Sequence, residues 1–175
     1  SSLNESEGTT VQEVVKMEKM LVTGVASDKN TARISVIGVE DKPGVAFKVF
    51  HRLAKNNINI DIILQSVGRD GSKDISFTVA EDDLEDAIKV LEENKEALTI
   101  KEIKHNARVA KVAIVGAGMM SNPGVASQMF EALFNSNINI NMISTSEIRI
   151  TVLIDEKDVD RAVQAIHEKF ALGEV

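Results

Sequence analysis

The feature that most constrains this chain is a pattern that occurs twice. The sequence Pro-Gly-Val-Ala at residues 43–46 returns at residues 123–126, and Asn-Ile-Asn-Ile at residues 57–60 returns at residues 137–140. Both pairs are separated by the same 80 positions, which indicates a tandem repeat whose unit is also the unit of folding. A repeat of about 80 residues is long enough to form a small domain with its own core.

Composition restricts the classes of function. Hydrophobic residues make up 43% of the 175 residues and aromatic residues only 3%, so the cores must be aliphatic. The formal charge of −7 disfavours nucleic acids and anionic membranes as partners. The chain has no cysteine, which excludes disulfides and thiol catalysis and fits a cytoplasmic location. No apolar run has the length of a membrane span, and no signal peptide is visible.

The first repeat has the element order βαββαβ. Apolar residues recur at helical spacing in two segments and alternate with polar residues in the others. This order predicts an antiparallel sheet with both helices on one face. The predicted elements are a strand over residues 32–39, a helix starting at Pro43, strands over residues 58–65 and 75–79, a turn over residues 68–71, a helix over residues 84–91 and a strand over residues 98–103.

The second repeat follows the same order but lacks a fourth strand. We expect the apolar segment at residues 20–26 to fill that edge, because an open edge promotes aggregation. The fold class is therefore α+β, with two ferredoxin-like domains and an N-terminal strand that completes the second. The predicted parts are a linker or tail over residues 1–19, the joining strand at 20–27, a first domain at 30–106 and a second domain at 110–172. Within the second domain we expect strands at 112–115, 140–144 and 148–152, a helix beginning near Pro123 with Asn122 as N-cap, and a helix over 159–166.

Each repeat places Pro-Gly at the predicted start of a helix. The first N–H groups of a helix have no internal partner and lie at the positive end of its dipole, so they can hold a carboxylate. Gly44 and Gly124 have no Cβ, which lets a ligand approach the backbone. The pattern favours a site for a small anionic group, although a plain tight turn between a strand and a helix has the same pattern.

Two polar residues on the predicted second strand add to this site. Asp61 and Gln65 are four residues apart and would share one face of the strand. Asp61 could bind an ammonium group, and Gln65 could recognise a hydroxyl or an amide. The second repeat has Asn141 and Thr145 at these positions, so the two repeats do not form equivalent sites.

Other chemical patterns are weak. Residues 112–121 contain Gly-x-Gly after a strand, but Ser121 replaces the third glycine of a dinucleotide-binding pattern. The three histidines, His51, His105 and His167, share no spacing typical of metal ligands. We therefore predict no catalytic residues and no metal site.

Several motifs occur together and in order. They are Asp-Lys-Pro-Gly at residues 41–44, Ser-Asn-Pro-Gly at residues 121–124, the two Asn-Ile-Asn-Ile blocks, and Ile-Ser-Thr-Ser-Glu-Ile-Arg at residues 143–149. Together they resemble the paired ACT domains of bacterial aspartate kinase, over about residues 20–172. Residues 22–26 resemble the segment that joins that enzyme's catalytic domain to its regulatory part. The glycine-rich phosphate strand and catalytic lysine of the enzyme have no counterpart in this sequence.

The resemblance implies a non-catalytic regulatory part of aspartate kinase, either a separate small subunit or an excised region. Such a part binds threonine, lysine or both, and mediates feedback inhibition of lysine, threonine and methionine biosynthesis. The resemblance implies no cofactor, a homodimer with effector clefts between ACT domains of two chains, and a catalytic domain or subunit as partner. Ala126 stands where threonine-responsive members have a residue with a hydroxyl, which leaves the effector open. By resemblance, the effector contacts are Asp41, Gly44, Val45, Ala46, Asn59, Ile60, Asp61, Gln65, Val125, Ala126, Asn139, Ile140, Ser146 and Glu147.

Three other functions remain open at the level of sequence. An amino-acid-sensing ACT pair could serve another enzyme or a transcriptional regulator. A catalytic βαββαβ enzyme is disfavoured because no nucleophile and base converge. An RNA-binding sheet of this order is disfavoured because its stacking aromatics are missing, Phe77 being the only one on a predicted strand.

Overall fold

A computed structural model describes residues 22–172, except for the side chain of Met120. The predicted tail at residues 1–19 lies outside the described residues, as do residues 20 and 21 of the predicted joining strand. The strands between residues 22 and 172 are β1 (Val22–Val39), β2 (Ile63–Val67), β3 (Lys73–Val79), β4 (Glu102–Gly116), β5 (Met142–Thr145) and β6 (Arg149–Asp155). The α-helices in that range are α1 (Val45–Lys55), α2 (Leu84–Glu93), α3 (Pro123–Asn135) and α4 (Val159–Lys169).

The chain divides into two compact units. The repeat-one unit comprises Lys29–Val109, and the repeat-two unit comprises the described residues up to Asp28 together with those from Ala110 onwards. The strand order is β2-β3-β1-β4 in the repeat-one unit and β1-β4-β6-β5 in the repeat-two unit. Each order is that of a ferredoxin-like βαββαβ sheet. The predicted fold class, two antiparallel ferredoxin-like α+β domains, is therefore confirmed.

The first part of β1 supplies the fourth strand of the repeat-two unit. It lies beside β4, and the Thr23 hydroxyl donates a hydrogen bond to the carbonyl of Val115 at 3.1 Å. Val22 is only 1% exposed and belongs to the core of that unit. The N-terminal strand therefore completes the second domain.

β1 is nevertheless longer than the sequence indicated. We expected two strands, at residues 20–26 and 32–39, because the intervening residues 27–30 are polar. The structure has one strand of 18 residues, in which those polar side chains are exposed. A strand requires backbone partners rather than an apolar sequence, so a polar stretch does not end it.

Each unit has its own aliphatic core. The repeat-one core includes Ile34, Leu53, Leu91 and Phe77. Phe50 packs edge to face against Phe77, with ring centroids 5.4 Å apart. The predicted helical and strand faces supply these residues. The repeat-two core is built from equivalent positions, with Ile114, Met129, Leu133, Ile154 and Ile166 fully buried.

The strand predicted at residues 98–103 starts later than expected: residues 98–101 are not part of a strand, and of this range only residues 102 and 103 belong to β4. Leu98 and Ile100 are buried as expected, but they flank Thr99, which has a positive φ of 55° in a turn after α2. The N–H of Ile100 donates to the carbonyl of Lys95 at 3.0 Å, and β4 begins only at Glu102. A turn that buries alternate residues produces the same apolar alternation as a strand, which is why the sequence was misread.

The two Pro-Gly motifs begin their helices differently. Pro123 is the first residue of α3, as expected, whereas α1 begins at Val45 and not at Pro43. Gly44 has φ 89°, a left-handed conformation that cannot be part of an α-helix. Asn122 occupies the N-cap position of α3, but its side-chain amide donates to the carbonyl of Gly118 at 2.8 Å and does not cap the helix.

The first asparagine of each Asn-Ile-Asn-Ile block ends a helix. Asn57 and Asn137 have φ of 57° and 55°, and asparagine tolerates this left-handed region better than most residues. The next N–H groups, of Ile58 and Ile138, donate to the carbonyls of Leu53 and Leu133 at 3.1 and 3.0 Å. This pattern satisfies carbonyls that would otherwise have no partner at the helix end, so these two asparagines have a structural role.

Gly38 marks an irregularity in the pairing of β1 with β3. The register shifts between Val36 and Val39, Gly38 has φ 74°, and its N–H donates to the Asp74 carboxylate at 2.9 Å. A Cβ at this position would lie 2.5–2.9 Å from the side chain of Lys101.

We therefore expect Gly38→Ala to lower the free energy of unfolding by about 1–3 kcal/mol. Alanine is strained in a left-handed backbone conformation, and its Cβ would clash with the side chain of Lys101. Gly24→Ala is the matched control, because a Cβ there meets nothing within 4 Å. Urea denaturation monitored by circular dichroism measures both. Equal midpoints for the two variants would contradict this account of Gly38.

Candidate functional site

The start of α1 is an open backbone site. The N–H of Val45 donates to the carbonyl of Lys42 at 3.4 Å, and the N–H of Lys48 donates to the carbonyl of Gly44 at 3.0 Å. The N–H groups of Ala46 and Phe47 lie in the first turn, where a helix offers no internal acceptor. A Cβ added at Gly44 would meet nothing within 4 Å, so a ligand can approach the backbone there. This geometry suits a carboxylate, as the Pro-Gly pattern indicated.

Gln65 lies on the same face of the sheet as α1. It pairs with Ile75, whose side chain is buried in the repeat-one core, and paired residues of antiparallel strands point to the same face. β2 ends two residues later at Val67, which pairs with Lys73. The exposed Gln65 amide is therefore placed towards the end of β2 that is nearest to the loop before α1.

Asp41, in that loop, forms an ion pair. Its carboxylate lies 2.8 Å from the ammonium group of Lys73, the first residue of β3. The neighbouring Glu40 and Lys42 form a separate pair at 3.1 Å. The loop that leads into α1 is thus fixed to β3 by one specific charge pair.

Asp61 lies at the opposite end of β3 from Asp41. It precedes β2 and so does not share a strand face with Gln65, contrary to expectation. Its N–H donates to the carbonyl of Thr78 at 3.1 Å, and Thr78 is five residues along β3 from Lys73, roughly 17 Å at about 3.3 Å per residue. A single amino acid bound at the start of α1 is too short to reach Asp61 of the same unit.

The sequence-derived residues of the repeat-one unit therefore form two groups. Asp41, Gly44, Val45, Ala46 and Gln65 form the helix-start group. Asn59, Ile60 and Asp61 follow the left-handed turn at the other end of α1 and form the helix-end group. α1 has 11 residues and separates the groups by roughly 16 Å.

The repeat-two unit has an equivalent helix-start group. Ala126 is half-buried in the first turn of α3, and Val125 is buried in the core. Ser146 and Glu147 lie in the turn between β5 and β6, where the N–H of Ser146 donates to the carbonyl of Arg149 at 2.8 Å. The carbonyl of Glu147 accepts from the N–H of Met119 at 3.0 Å, so this turn is held against the loop that leads into α3.

Asn139 and Ile140 form the helix-end group of the repeat-two unit. They follow the left-handed Asn137 and precede Asn141, the residue equivalent to Asp61. The backbone N–H of Asn141 donates to the carbonyl of Leu153 at 2.7 Å, and its side-chain amide donates to the Asp155 carboxylate at 3.3 Å. The repeat-two unit thus has an internally bonded amide where the repeat-one unit has an exposed carboxylate.

The sequence-derived residues lie on open surface. All of them except Val125 are exposed or half-buried. Two shallow clefts, of about 320 and 280 Å³, lie elsewhere, against α4 and α2 respectively. They are lined by Ser136, Arg161, Gln164, Ala165 and Glu168, and by Asn56, Asp86, Lys89, Val90 and Glu93. Ligand pockets normally enclose most of a small molecule, so a helix-start group that bound one would need a second surface to complete it.

The turn between β2 and β3 carries the one clear pKa shift among the described residues. A hydrogen bond from the Lys101 ammonium, helped by Ser72, holds the pKa of the Asp70 carboxyl well below its usual range. Lys101 also covers Gly38, so one lysine links this turn to β1.

Metal and membrane features are not found in residues 22–172. That part of the chain holds no group of three or more His, Cys, Asp or Glu side chains placed to bind a metal ion. His51 instead stacks on Phe47, with ring centroids 5.0 Å apart. No helix in the described part of the chain is both long and apolar enough to cross a bilayer.

Sequence reasoning missed two residues that shape the site. Lys73 neutralises Asp41, and the Thr78 hydroxyl accepts from the N–H of Ile62 at 3.0 Å, which fixes the segment beside Asp61. Both contacts join residues far apart in sequence, so no local period reveals them. The left-handed asparagines did have a local signal, since asparagine directly after a helix pattern is typical of such a cap.

Comparison with known proteins finds a family match in both repeats. Residues 34–94 and 112–170 match the model of the ACT domain. The aspartokinases of Corynebacterium efficiens and Corynebacterium glutamicum are each 45% identical over 178 residues, which cover 99% of this chain and 42% of those proteins. The chain thus spans about two fifths of the length of these curated relatives.

Solved structures give the same result. A crystal structure of aspartokinase alpha and beta subunits is 45% identical with a TM-score of 0.81, and the match covers 86% of this chain and 99% of that one. The ligand-free regulatory subunit of aspartate kinase from Thermus thermophilus is 40% identical with a TM-score of 0.80 and the same coverage. An aspartate kinase from Synechocystis is 39% identical with a TM-score of 0.82, over 88% of this chain and 28% of that one.

Proposed function

Because this chain belongs to the ACT domain family and matches a regulatory subunit of aspartate kinase over 99% of that subunit, we propose that it is an amino-acid sensor for an aspartate kinase. It binds threonine, lysine or both and transmits feedback inhibition of lysine, threonine and methionine biosynthesis to a catalytic domain or subunit. The observation that carries this proposal is the start of α1, where an uncovered left-handed glycine leads into the first-turn N–H groups of Ala46 and Phe47.

The effector contacts follow from the two groups of residues. The carboxylate of the amino acid accepts from N–H groups at the start of α1, and Gln65 contacts its side chain. Asn139 and Ile140 of a second copy close the cleft. We propose a site shared by two copies rather than a site within one unit, because Asp61 is too far from the start of α1 of its own unit to contact the same ligand. Asp61, Asn59 and Ile60 would instead meet Val125, Ala126, Ser146 and Glu147 of the second copy in a second cleft.

The open surface of both helix starts supports a dimeric site. A free amino acid gains little affinity on an exposed surface, where its charges stay in contact with water. A second copy would bury the ligand and strengthen the hydrogen bonds of its carboxylate. Effector binding and association are then linked, since a ligand held by two chains favours the dimer.

We expect isothermal titration calorimetry to show saturable heat with threonine or lysine and none with alanine or aspartate. The physical reason is that the cleft must recognise a side chain as well as the shared carboxylate and ammonium groups. The titration uses the full chain and each of these four amino acids in turn. Absence of saturable heat with threonine and lysine, singly and together, would remove the sensor function.

We expect Gln65→Ala to weaken effector binding by about tenfold, the effect of losing one or two hydrogen bonds in an enclosed site. The fold should be unchanged, because this side chain is exposed. Ser66→Ala is the matched control, since Ser66 is the next residue of β2 and points to the opposite face. Equal affinities for the two folded variants would show that the ligand does not lie beside Gln65.

We expect the chain to form a symmetric homodimer that the effector strengthens. The edge strand β2 exposes Ile63, Leu64 and Val67, the last at 74% of its surface, and exposed apolar edges favour association. Sedimentation velocity over a range of concentrations measures the dimer, and Val67→Lys should shift it towards monomer without loss of fold. A monomer at all concentrations, with threonine and lysine present, would refute the dimer.

A further inference from the structure

The pair formed by Asp41 and Lys73 lies at the proposed effector site. Asp41 precedes the left-handed Gly44 by three residues, and its carboxylate lies 2.8 Å from the Lys73 ammonium group. The Lys73 side chain is 28% exposed and that of Asp41 is 51% exposed, so the pair is partly shielded from solvent. Lys73 therefore pairs with the carboxylate that is nearest in sequence to the N–H groups proposed to bind the ligand.

The neighbouring charges do not substitute for Lys73. Lys42 is closest in sequence, but it pairs with Glu40 at 3.1 Å. Asp74, the residue after Lys73, accepts a hydrogen bond from the N–H of Gly38 at 2.9 Å. Within the described part of this loop, the charge of Asp41 is thus matched by one cation, which comes from β3.

The second repeat lacks this pair. The hairpin between its second and third strands is shorter than that of the first repeat. Ile143 pairs with Val152, and the equivalent pair in the first repeat is Ile63 with Phe77, so Val152 aligns with Phe77. On that alignment the positions of Asp41 and Lys73 are taken by Ser121 and Ile148, neither of which is charged. The ion pair is therefore specific to the helix start of the first repeat and is not required by the βαββαβ fold that both repeats share.

We propose that Lys73 determines effector choice at the repeat-one helix start, an inference that rests on the proposed function. The side-chain ammonium of a bound lysine would need an unpaired carboxylate near the loop. Asp41 is already paired, and the Lys73 charge repels a second cation. A neutral hydroxyl side chain meets neither obstacle. The natural chain therefore binds threonine more tightly than lysine at this site, and Lys73 is the residue that enforces the difference.

The test is calorimetry of L-threonine and L-lysine with the full chain and three variants. Lys73→Met frees Asp41, so the affinity for lysine relative to threonine should rise by about tenfold, the effect of one regained charge-assisted hydrogen bond. Combining Lys73→Met with Asp41→Asn should abolish that rise, because the carboxylate is then absent. Lys42→Met removes a charge from the same loop but leaves Asp41 paired, so it should keep the natural ratio.

The outcomes separate the two levels of the proposal. An unchanged ratio in a folded Lys73→Met variant that still binds both amino acids would overturn the role of Lys73 and leave the sensor function standing. A rise of the same size in Lys42→Met would also overturn it, because any loss of positive charge would then suffice. No heat with either amino acid for the natural chain would remove the proposed function itself. Thermal unfolding monitored by circular dichroism confirms that each variant is folded.

Discussion

The requirement that every strand of a sheet has a backbone partner organises this structure. Between residues 110 and 172 the second repeat contributes three strands of its own, and the first part of β1 supplies the fourth beside β4. β1 then continues as the first strand of the other unit and ends at the loop that carries Asp41 and leads into α1. One strand therefore completes one domain and positions the helix start of the other.

The two repeats share a backbone plan but differ in chemistry at the same places. Both have a Pro-Gly motif before the first helix and a left-handed asparagine after it. The repeat-one unit adds charges, with Asp61 exposed and Asp41 paired to Lys73, whereas Asn141 is bonded to Asp155. The two repeats therefore share the elements that make an open helix start and differ in the charged side chains around it.

Much of the fold follows from local sequence, because periodicity and turn residues act over a few positions. The helices at Leu84–Glu93 and Val159–Lys169, the strand around Phe77 and the completing role of the N-terminal strand were all predictable. The errors arose where the local backbone conformation departs from the pattern of the sequence. Leu98 and Ile100 are buried alternately within a turn rather than a strand, and the left-handed Gly44 makes α1 begin at Val45 rather than at Pro43. The grouping of site residues was not predictable, since only the register of β3 shows that Asp41 and Asp61 lie at opposite ends of one strand.

This separation has a consequence for allostery. If one unit held every contact, a ligand could bind without changing how two copies associate. If each helix start supplies only half of the contacts, as proposed, the remaining binding energy comes from a second surface, and the ligand stabilises whichever arrangement brings the two together. A coupling of about 1–3 kcal/mol between effector and assembly is typical of such systems. A pair of small domains would then need only a change in association to influence a partner.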